Sequence, residues 1–311
     1  MRQKLQTAIF FLILSTLTLS CKKETEDLLP DDEMELSNTN QDEIKVVNGR
    51  LTFKDKDFFE EYLSTNSSKN TRQGKFEGFI SMNEYYENKS SYRTKGKITC
   101  DTLPFEDDYL ANFLTPEGII EIGDYVFKIN MPDEKVYALH KEKVKENLQD
   151  LYEEKRNNAI LEFSTNDEVL TLLEDRNSSA QEKLFCGETR ANNDDDRATI
   201  DYGNGEYRMN CKVVYQTAGI YFSLIGRADG RVKSVFGWYV NHPITMTANY
   251  SANWKPRCGT ARSVSDSRIE TTSSLRIRVY ESVRGLNNYS YNIVFTNHFA
   301  GWDTRLFSIS G

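Results

Sequence analysis

Hydrophobic and polar positions follow three successive patterns along the chain. The first is a short apolar run at the N-terminus, residues 8–19, which contains no charged residue. The second, residues 44–176, mixes helical and strand-like spacing, and the third, residues 199–311, is almost entirely strand-like. Together they predict a leader followed by two folded parts.

Helical and strand-like patterns alternate in residues 44–176. Asp55 can cap a helix that carries Phe58, Phe59 and Leu63 at helical spacing. The clearest hairpin, residues 118–129, turns at Gly123-Asp124. The remaining elements are a strand at 136–139 and helices at about 82–86, 105–114, 141–157 and 167–174. The strands are too short for a doubly wound parallel sheet, so a small α+β domain is expected.

The C-terminal part reads as a series of short strands rich in Val, Ile, Tyr, Phe and Thr. Leu275, Ile277 and Val279 alternate with Arg276 and Arg278, which predicts a strand with one buried and one solvent-exposed face. An antiparallel all-β domain, sandwich-like or barrel-like, is therefore expected over 199–311. The polar stretch 177–198 is expected to be a linker. The strands are predicted at 206–215, 220–227, 232–240, 244–250, 275–283, 289–296 and 305–309.

The apolar run at the N-terminus is too short to cross a membrane. A bilayer crossing needs about 20 apolar residues and this run has about 12, so residues 1–20 are predicted to be a signal peptide. Its end, Thr18-Leu19-Ser20-Cys21, resembles a bacterial lipobox, in which the cysteine receives a diacylglycerol. Thr18 stands where leucine is usual, which leaves ordinary cleavage as the alternative.

The residues after Cys21 predict where the protein is sent. Lys22 and Lys23 followed by acidic residues resemble the signal that takes Bacteroidota lipoproteins to the outer face of the outer membrane. Residues 21–43 are acidic and poor in aromatic residues, so they are expected to be a disordered tether. A lipid-anchored outer-membrane protein, surface-exposed or periplasm-facing, is the resulting expectation, with the membrane as its partner through the lipid.

Two segments of the N-terminal part extend this resemblance. Asn48-Gly49-Arg50-Leu51-Thr52-Phe53 and, later, Thr115-Pro116-Glu117-Gly118 with the hairpin after it are similar to uncharacterised envelope lipoproteins of the Bacteroidota. In that family a short α+β part precedes a strand-rich part. The resemblance covers about residues 45–140 and implies an envelope-attached protein, without any catalytic residue to transfer.

Charge divides unevenly along the chain and excludes one class of partner. The net charge is −8, made up of −12 before Gly187 and +4 from Gly187 onward. Nucleic-acid binding needs clustered Lys and Arg, whereas the C-terminal arginines are spread singly, so no nucleic acid is expected.

Four cysteines remain once Cys21 is assigned to lipidation. In an oxidising compartment Cys100, Cys186, Cys211 and Cys258 permit two disulfides in any of three pairings. The favoured pairing joins Cys211 to Cys258 and Cys100 to Cys186. No CxxC is present, so no zinc site is expected.

Candidate catalytic chemistry is sparse. His140, His242 and His298 each stand alone, and neither HExxH nor GxSxG occurs, so no enzyme activity and no cofactor are predicted. Asp194, Asp195, Asp196 and Asp201 could gather around calcium, but their spacing is not that of an EF-hand and a solvated loop is favoured.

Two tryptophans in loop-like surroundings are the candidate ligand-binding residues. If exposed, Trp254 and Trp302 would offer rings to a sugar or to a partner protein; core packing is the alternative. Asp101-Thr102-Leu103 resembles a Bacteroidota O-glycosylation sequon. The sequence thus favours a non-catalytic binding or adhesion module for a glycan or a protein. A structural envelope protein comes second, and a hydrolase third.

Overall fold

A computed structural model describes residues 44–66, 76–91, 103–174, 190–298 apart from Phe236 and Trp238, and 304–311. The predicted signal peptide and tether, with Cys21, lie outside these residues, as do Cys100, Thr102, Cys186 and Trp302. Within the described ranges, none of the helices combines the length and the apolar character that a bilayer crossing requires.

The N-terminal part is built on a six-stranded sheet in the order β1-β2-β3-β4-β5-β6. Neighbouring strands are antiparallel except β2 and β3, which pair in parallel. The predicted hairpin forms as β3 and β4, with Glu121 opposite Val126. The strands are β1 Ile44–Val47, β2 Arg50–Phe53, β3 Ile119–Ile122, β4 Tyr125–Asn130, β5 Lys135–His140 and β6 Ile160–Ser164.

Three helices pack on the two faces of this sheet. In α1, Lys56–Asn66, the Asp55 side chain accepts a hydrogen bond from the Phe58 amide at 2.8 Å, which confirms the predicted cap. Phe59 of α1 and Met82 of α2, Met82–Ser91, belong to one core, and Leu151 of α3, Val144–Tyr152, belongs to the core on the other face. The expected small α+β architecture is confirmed.

Two expected helices of this part are absent. Over 105–114 only a 3-10 turn at Leu110–Asn112 forms, and over 167–174 only a 3-10 helix at Val169–Leu173. The first prediction was wrong because the acidic residues 106–108 bind the C-terminal sheet instead of continuing a helix.

The C-terminal part consists of two packed antiparallel sheets, as in a sandwich. One has the order β10-β9-β8-β7, with β13 also pairing with β9, and the other has the order β12-β11-β14-β15. Buried residues of both sheets, such as Met209 and Phe295, form one core between them. The strands are β7 Asp195–Tyr202, β8 Tyr207–Thr217, β9 Phe222–Lys233, β10 Tyr239–Asn241, β11 Ile244–Pro256, β12 Arg262–Thr272, β13 Ser274–Ser282, β14 Leu286–Asn297 and β15 Thr304–Ser310.

The two parts share apolar contacts. Ala218, Ile220, Tyr221 and Val283, from the C-terminal part, belong to the N-terminal core. At the same place the Gly219 amide donates to the Thr165 carbonyl at 2.7 Å, and the Val169 amide donates to the Gly219 carbonyl at 2.9 Å. The described residues from 44 onward accordingly fall within one compact unit.

Candidate functional site

A buried cluster of ionisable side chains joins the N-terminal part to the C-terminal sheet. Asp107 is fully buried, and Arg278 of β13 donates two hydrogen bonds to its carboxylate, from Nε at 2.9 Å and Nη2 at 2.6 Å. The Tyr221 hydroxyl donates a third at 2.8 Å. The Arg278 guanidinium also lies 4.7 Å from the centre of the Tyr109 ring. Asp107, Arg278 and Tyr221 are therefore mutually paired, as a buried ion pair requires.

The neighbours of Asp107 bind the same sheet. Glu106 pairs with Lys212 at 2.6 Å and with Arg197 at 2.9 Å, and Asp108 pairs with Arg276 at 2.5 Å. The backbone amides of Glu106 and Asp107 both donate to Oε1 of the Gln216 side chain. We call residues 106–108 the acidic clamp.

The clamp neutralises a row of cations. Arg276, Arg227, Lys212 and Arg197 lie directly opposite one another on β13, β9, β8 and β7. Like charges at opposed positions destabilise a sheet. The clamp pairs with three of the four cations, and Asp229 pairs with Arg227 at 2.8 Å. Because Arg197 and Lys212 are already paired, the depression of about 320 Å³ that they line offers no free cation to an anionic ligand.

The pKa values of two carboxyl groups at this place, Asp107 and Glu281, shift in opposite directions although burial raises both. Burial alone would raise the pKa of Asp107. The positive charge of Arg278 and the hydrogen bonds that the Asp107 carboxylate accepts lower that pKa to about 2. Desolvation raises the pKa of Glu281 to about 7, because its distance of 3.7 Å from Arg278 provides only partial compensation. Perturbed groups can mark catalytic sites. Here Asp107 and Tyr221 are inaccessible to a substrate, so we interpret the cluster as structural.

The outer face of the four-stranded sheet has mostly uncharged side chains, unlike the cation-bearing face of the five-stranded sheet. We call it the neutral face. Along β11, Met246, Ala248 and Ala252 are buried, and the residues between them point away from the core. The strand register extends this alternation to the neighbouring strands. The outward residues are Thr245, Thr247, Asn249, Ser251 and Asn253 on β11; Ser263, Ser265, Ser267, Ile269 and Thr271 on β12; Ser290, Asn292, Val294 and Thr296 on β14; and Thr304, Leu306, Ser308 and Ser310 on β15.

None of these outward side chains carries a charge, although 28% of the residues in the chain are charged; Lys255, the next outward residue of β11, adds one cation at the end of the face. Some hydroxyls and amides pair across strands: the Ser308 hydroxyl donates to Oδ1 of Asn292 at 2.7 Å, and Thr245 and Thr271 share a hydrogen bond of 2.8 Å. Exposed β-sheet faces usually carry Lys and Glu, so this composition is unusual for a face that only meets water.

A shallow depression of about 500 Å³ lies at the centre of the neutral face. Ser251 and Asn292 contribute neutral polar groups to its lining, Val294 and Leu306 contribute apolar surface, and Asp266 of the edge strand contributes a carboxylate. Leu306 is 61% exposed and Ile269, on the edge strand β12, is 65% exposed. The arrangement can donate and accept hydrogen bonds and can cover a small apolar surface.

The tryptophans predicted as ligand-binding residues are not part of the described neutral face. Trp254 stands at a core-facing position of β11, is partly buried and packs against the core between the two sheets. Trp302 lies outside the described residues. The sequence analysis did not identify the small polar residues of this face. They form a recognisable group only when the strand register places them on the same side of the sheet.

The expected disulfide between Cys211 and Cys258 does not form. Cys211 is a free thiol that points from β8 into the core, and burial raises its pKa to about 12. Cys258 lies in a turn beyond the end of β11, with a left-handed φ of 55°. The pairing was wrong because it assumed that two cysteines in the same part of the chain would meet, whereas one lies within the core and the other at the end of a strand.

The other polar candidates remain apart. Asp195 and Asp201 pair with Arg197 and Arg208 on β7 and β8, and within the described ranges no three His, Cys, Asp or Glu residues gather as metal ligands would. His140 lies at the end of β5, and His242 lies at 6.2 Å, centroid to centroid, from the Tyr207 ring. His298 Nε2 lies 2.5 Å from the Thr247 hydroxyl at the end of the neutral face.

Comparison with known proteins gives one distant structural match to report. No protein-family model matches the sequence, and no curated protein matches it either. A crystal structure of a DUF4848 family protein from Bacteroides thetaiotaomicron is 13% identical, with 86% of this chain and 100% of that chain covered, at a TM-score of 0.19. A similarity at this level assigns neither a fold nor a function.

The raised pKa of Glu281 predicts how stability depends on pH. Between about pH 4.5 and pH 7 the folded state keeps a proton that the unfolded state releases, so this group lowers the free energy of unfolding as the pH rises. The substitution Glu281→Gln removes this group's contribution to the decrease in the free energy of unfolding. Between pH 5 and pH 8, the Tm of the variant should fall less than the Tm of the wild type. The difference should be about 2 to 4 °C for each kcal/mol of unfolding free energy that the variant retains.

Glu117→Gln is the matched control, because Glu117 is exposed. It should follow the wild-type pH dependence. If Glu281→Gln also follows the wild type, Glu281 does not change its protonation within this range and the explanation given for its acidity is wrong.

Proposed function

We propose that the protein is a lipid-anchored envelope protein that uses the neutral face to bind a carbohydrate without catalysing a reaction on it. The observation that carries the proposal is the uncharged set of outward Ser, Thr and Asn side chains around the central depression. Hydroxyl and amide groups both donate and accept, which suits the hydroxyls of a sugar.

The charge pattern favours a neutral glycan over a charged ligand. A phosphate or carboxylate would need clustered cations, and the neutral face offers none. The apolar side chains of Val294 and Leu306 can lie against the C–H face of a sugar ring. An uncharged ligand leaves no buried ion to compensate, so the shallow depression can bind it with hydrogen bonds and modest apolar contact.

A structural envelope protein without a soluble ligand is the alternative function. It shares the anchor but predicts that no soluble glycan binds. A hydrolase ranks third, because the sequence contains neither HExxH nor GxSxG.

Titration calorimetry with neutral polysaccharides tests the ligand. We expect a glucan, xylan or mannan to bind and polygalacturonate not to bind. Ser251→Arg places a long charged side chain at the centre of the depression and should weaken binding at least tenfold, a loss of about 1.4 kcal/mol.

Thr199→Arg is the matched control for this titration, since Thr199 is an exposed hydroxyl residue on a strand of the other sheet. It should bind as the wild type does. The proposal fails if no neutral polysaccharide binds, or if Ser251→Arg and Thr199→Arg change the affinity equally.

The anchor is tested separately by Cys21→Ala. We expect the wild-type protein to partition with membranes, because acyl chains contribute about 0.8 kcal/mol for each buried CH₂, and the variant to lose this partitioning. Fractionation of expressing cells followed by intact-mass measurement gives the result. Unchanged membrane partitioning of the variant, or a mature wild-type protein without lipid, would exclude the anchor.

A further inference from the structure

The edge strand β12 has one side that pairs with no described strand. Over its full length, Arg262–Thr272, it pairs with β11 on the other side. Most of its side chains are exposed, including Ile269 at 65%. A long exposed edge offers backbone N–H and C=O groups to another strand, which proteins usually prevent with charges or with short edges.

The sequence of β12 is complementary to itself about its central residue, Ser267. If two copies pair antiparallel about a two-fold axis at Ser267, every residue from 262 to 272 has a partner. Asp266 then lies opposite Arg268 of the partner subunit, and Arg268 opposite Asp266 of the partner subunit. Opposite charges at directly opposed positions stabilise an antiparallel pair.

The two directly adjacent registers lack this match. With the axis at Asp266, the two Asp266 carboxylates of the dimer would lie opposite each other. With the axis at Arg268, the two Arg268 guanidinium groups would lie opposite each other. Both arrangements oppose like charges and are disfavoured. Of these three registers, the one that uses the full strand is therefore also the one that pairs its central charges.

We propose that two copies of this chain associate through β12, antiparallel about a two-fold axis at Ser267, so that their four-stranded sheets become one continuous sheet. Such an isologous contact closes on itself, because the β12 edge of each copy is used by the other. The axis is perpendicular to the sheet, so the two neutral faces lie on the same side. The association does not depend on whether that face binds a glycan.

Cysteine cross-linking of the full chain tests the contact directly. At the axis, the two copies of residue 267 have their Cα atoms about 4.5 to 5.5 Å apart, within the range that a disulfide can bridge. Ser267→Cys should therefore give a disulfide-linked dimer in most of the protein on non-reducing electrophoresis. The unsubstituted chain gives the background from its own cysteines.

Ser263→Cys is the matched control, on the same strand and the same face. The two copies of residue 263 would be about 26 Å apart, given about 3.3 Å for each residue of strand, so no cross-link should form. The proposal is overturned if Ser267→Cys stays monomeric, or if both variants cross-link to the same extent.

Charge reversal provides a second test that needs no cross-link. Asp266→Arg opposes arginines across the axis and should raise the dimer dissociation constant at least tenfold in sedimentation equilibrium. The double variant Asp266→Arg with Arg268→Asp restores opposite charges and should restore the dimer. A double variant as monomeric as the single one, or a wild-type chain that is monomeric at all concentrations, contradicts the proposed register.

Discussion

The arrangement of the molecule depends on one buried ion pair, between Asp107 and Arg278. Each charge alone would destabilise the fold at this depth, since removing one partner of a buried pair costs about 3 to 5 kcal/mol. Together, with the Tyr221 hydroxyl, they fix the segment that leads from α2 toward β3 onto the outer face of the five-stranded sheet. Glu106 and Asp108 extend the contact along the row of cations. The ion pair and the shared apolar core thus hold the two parts in one arrangement.

The two sheets of the C-terminal part distribute their polar residues in opposite ways. The outer face of the five-stranded sheet carries the row of cations, which the acidic clamp and Asp229 neutralise. The outer face of the four-stranded sheet carries mostly hydroxyls and amides, with a few apolar side chains and Lys255 at one end. The first face is used within the chain. We propose that the second binds a ligand and that its edge strand pairs with a second copy.

Where the apolar pattern is one-sided, the sequence predicts the structure. The β3–β4 hairpin and α1 were identified because their buried residues recur at the strand and helix periods. β12 was missed because charges occupy one side of it and small polar residues the other, so no apolar alternation marks it. β7 begins at Asp195, inside the stretch expected to be a linker, because an edge strand tolerates acidic residues on its wet side. Neither the neutral face nor the acidic clamp could be predicted, since both are defined by the register of strands distant in sequence.

The most direct test of this account compares two carboxylates that make the same contact at different depths. Asp107 and Asp201 each accept two hydrogen bonds from an arginine, but Asp107 is fully buried, whereas the side chain of Asp201 is 45% exposed. In urea-induced unfolding, Asp107→Asn should lower the free energy of unfolding by about 3 to 5 kcal/mol. Asp201→Asn should change it by less than about 1 kcal/mol. Equal, small effects of the two substitutions would contradict the central role of the buried pair.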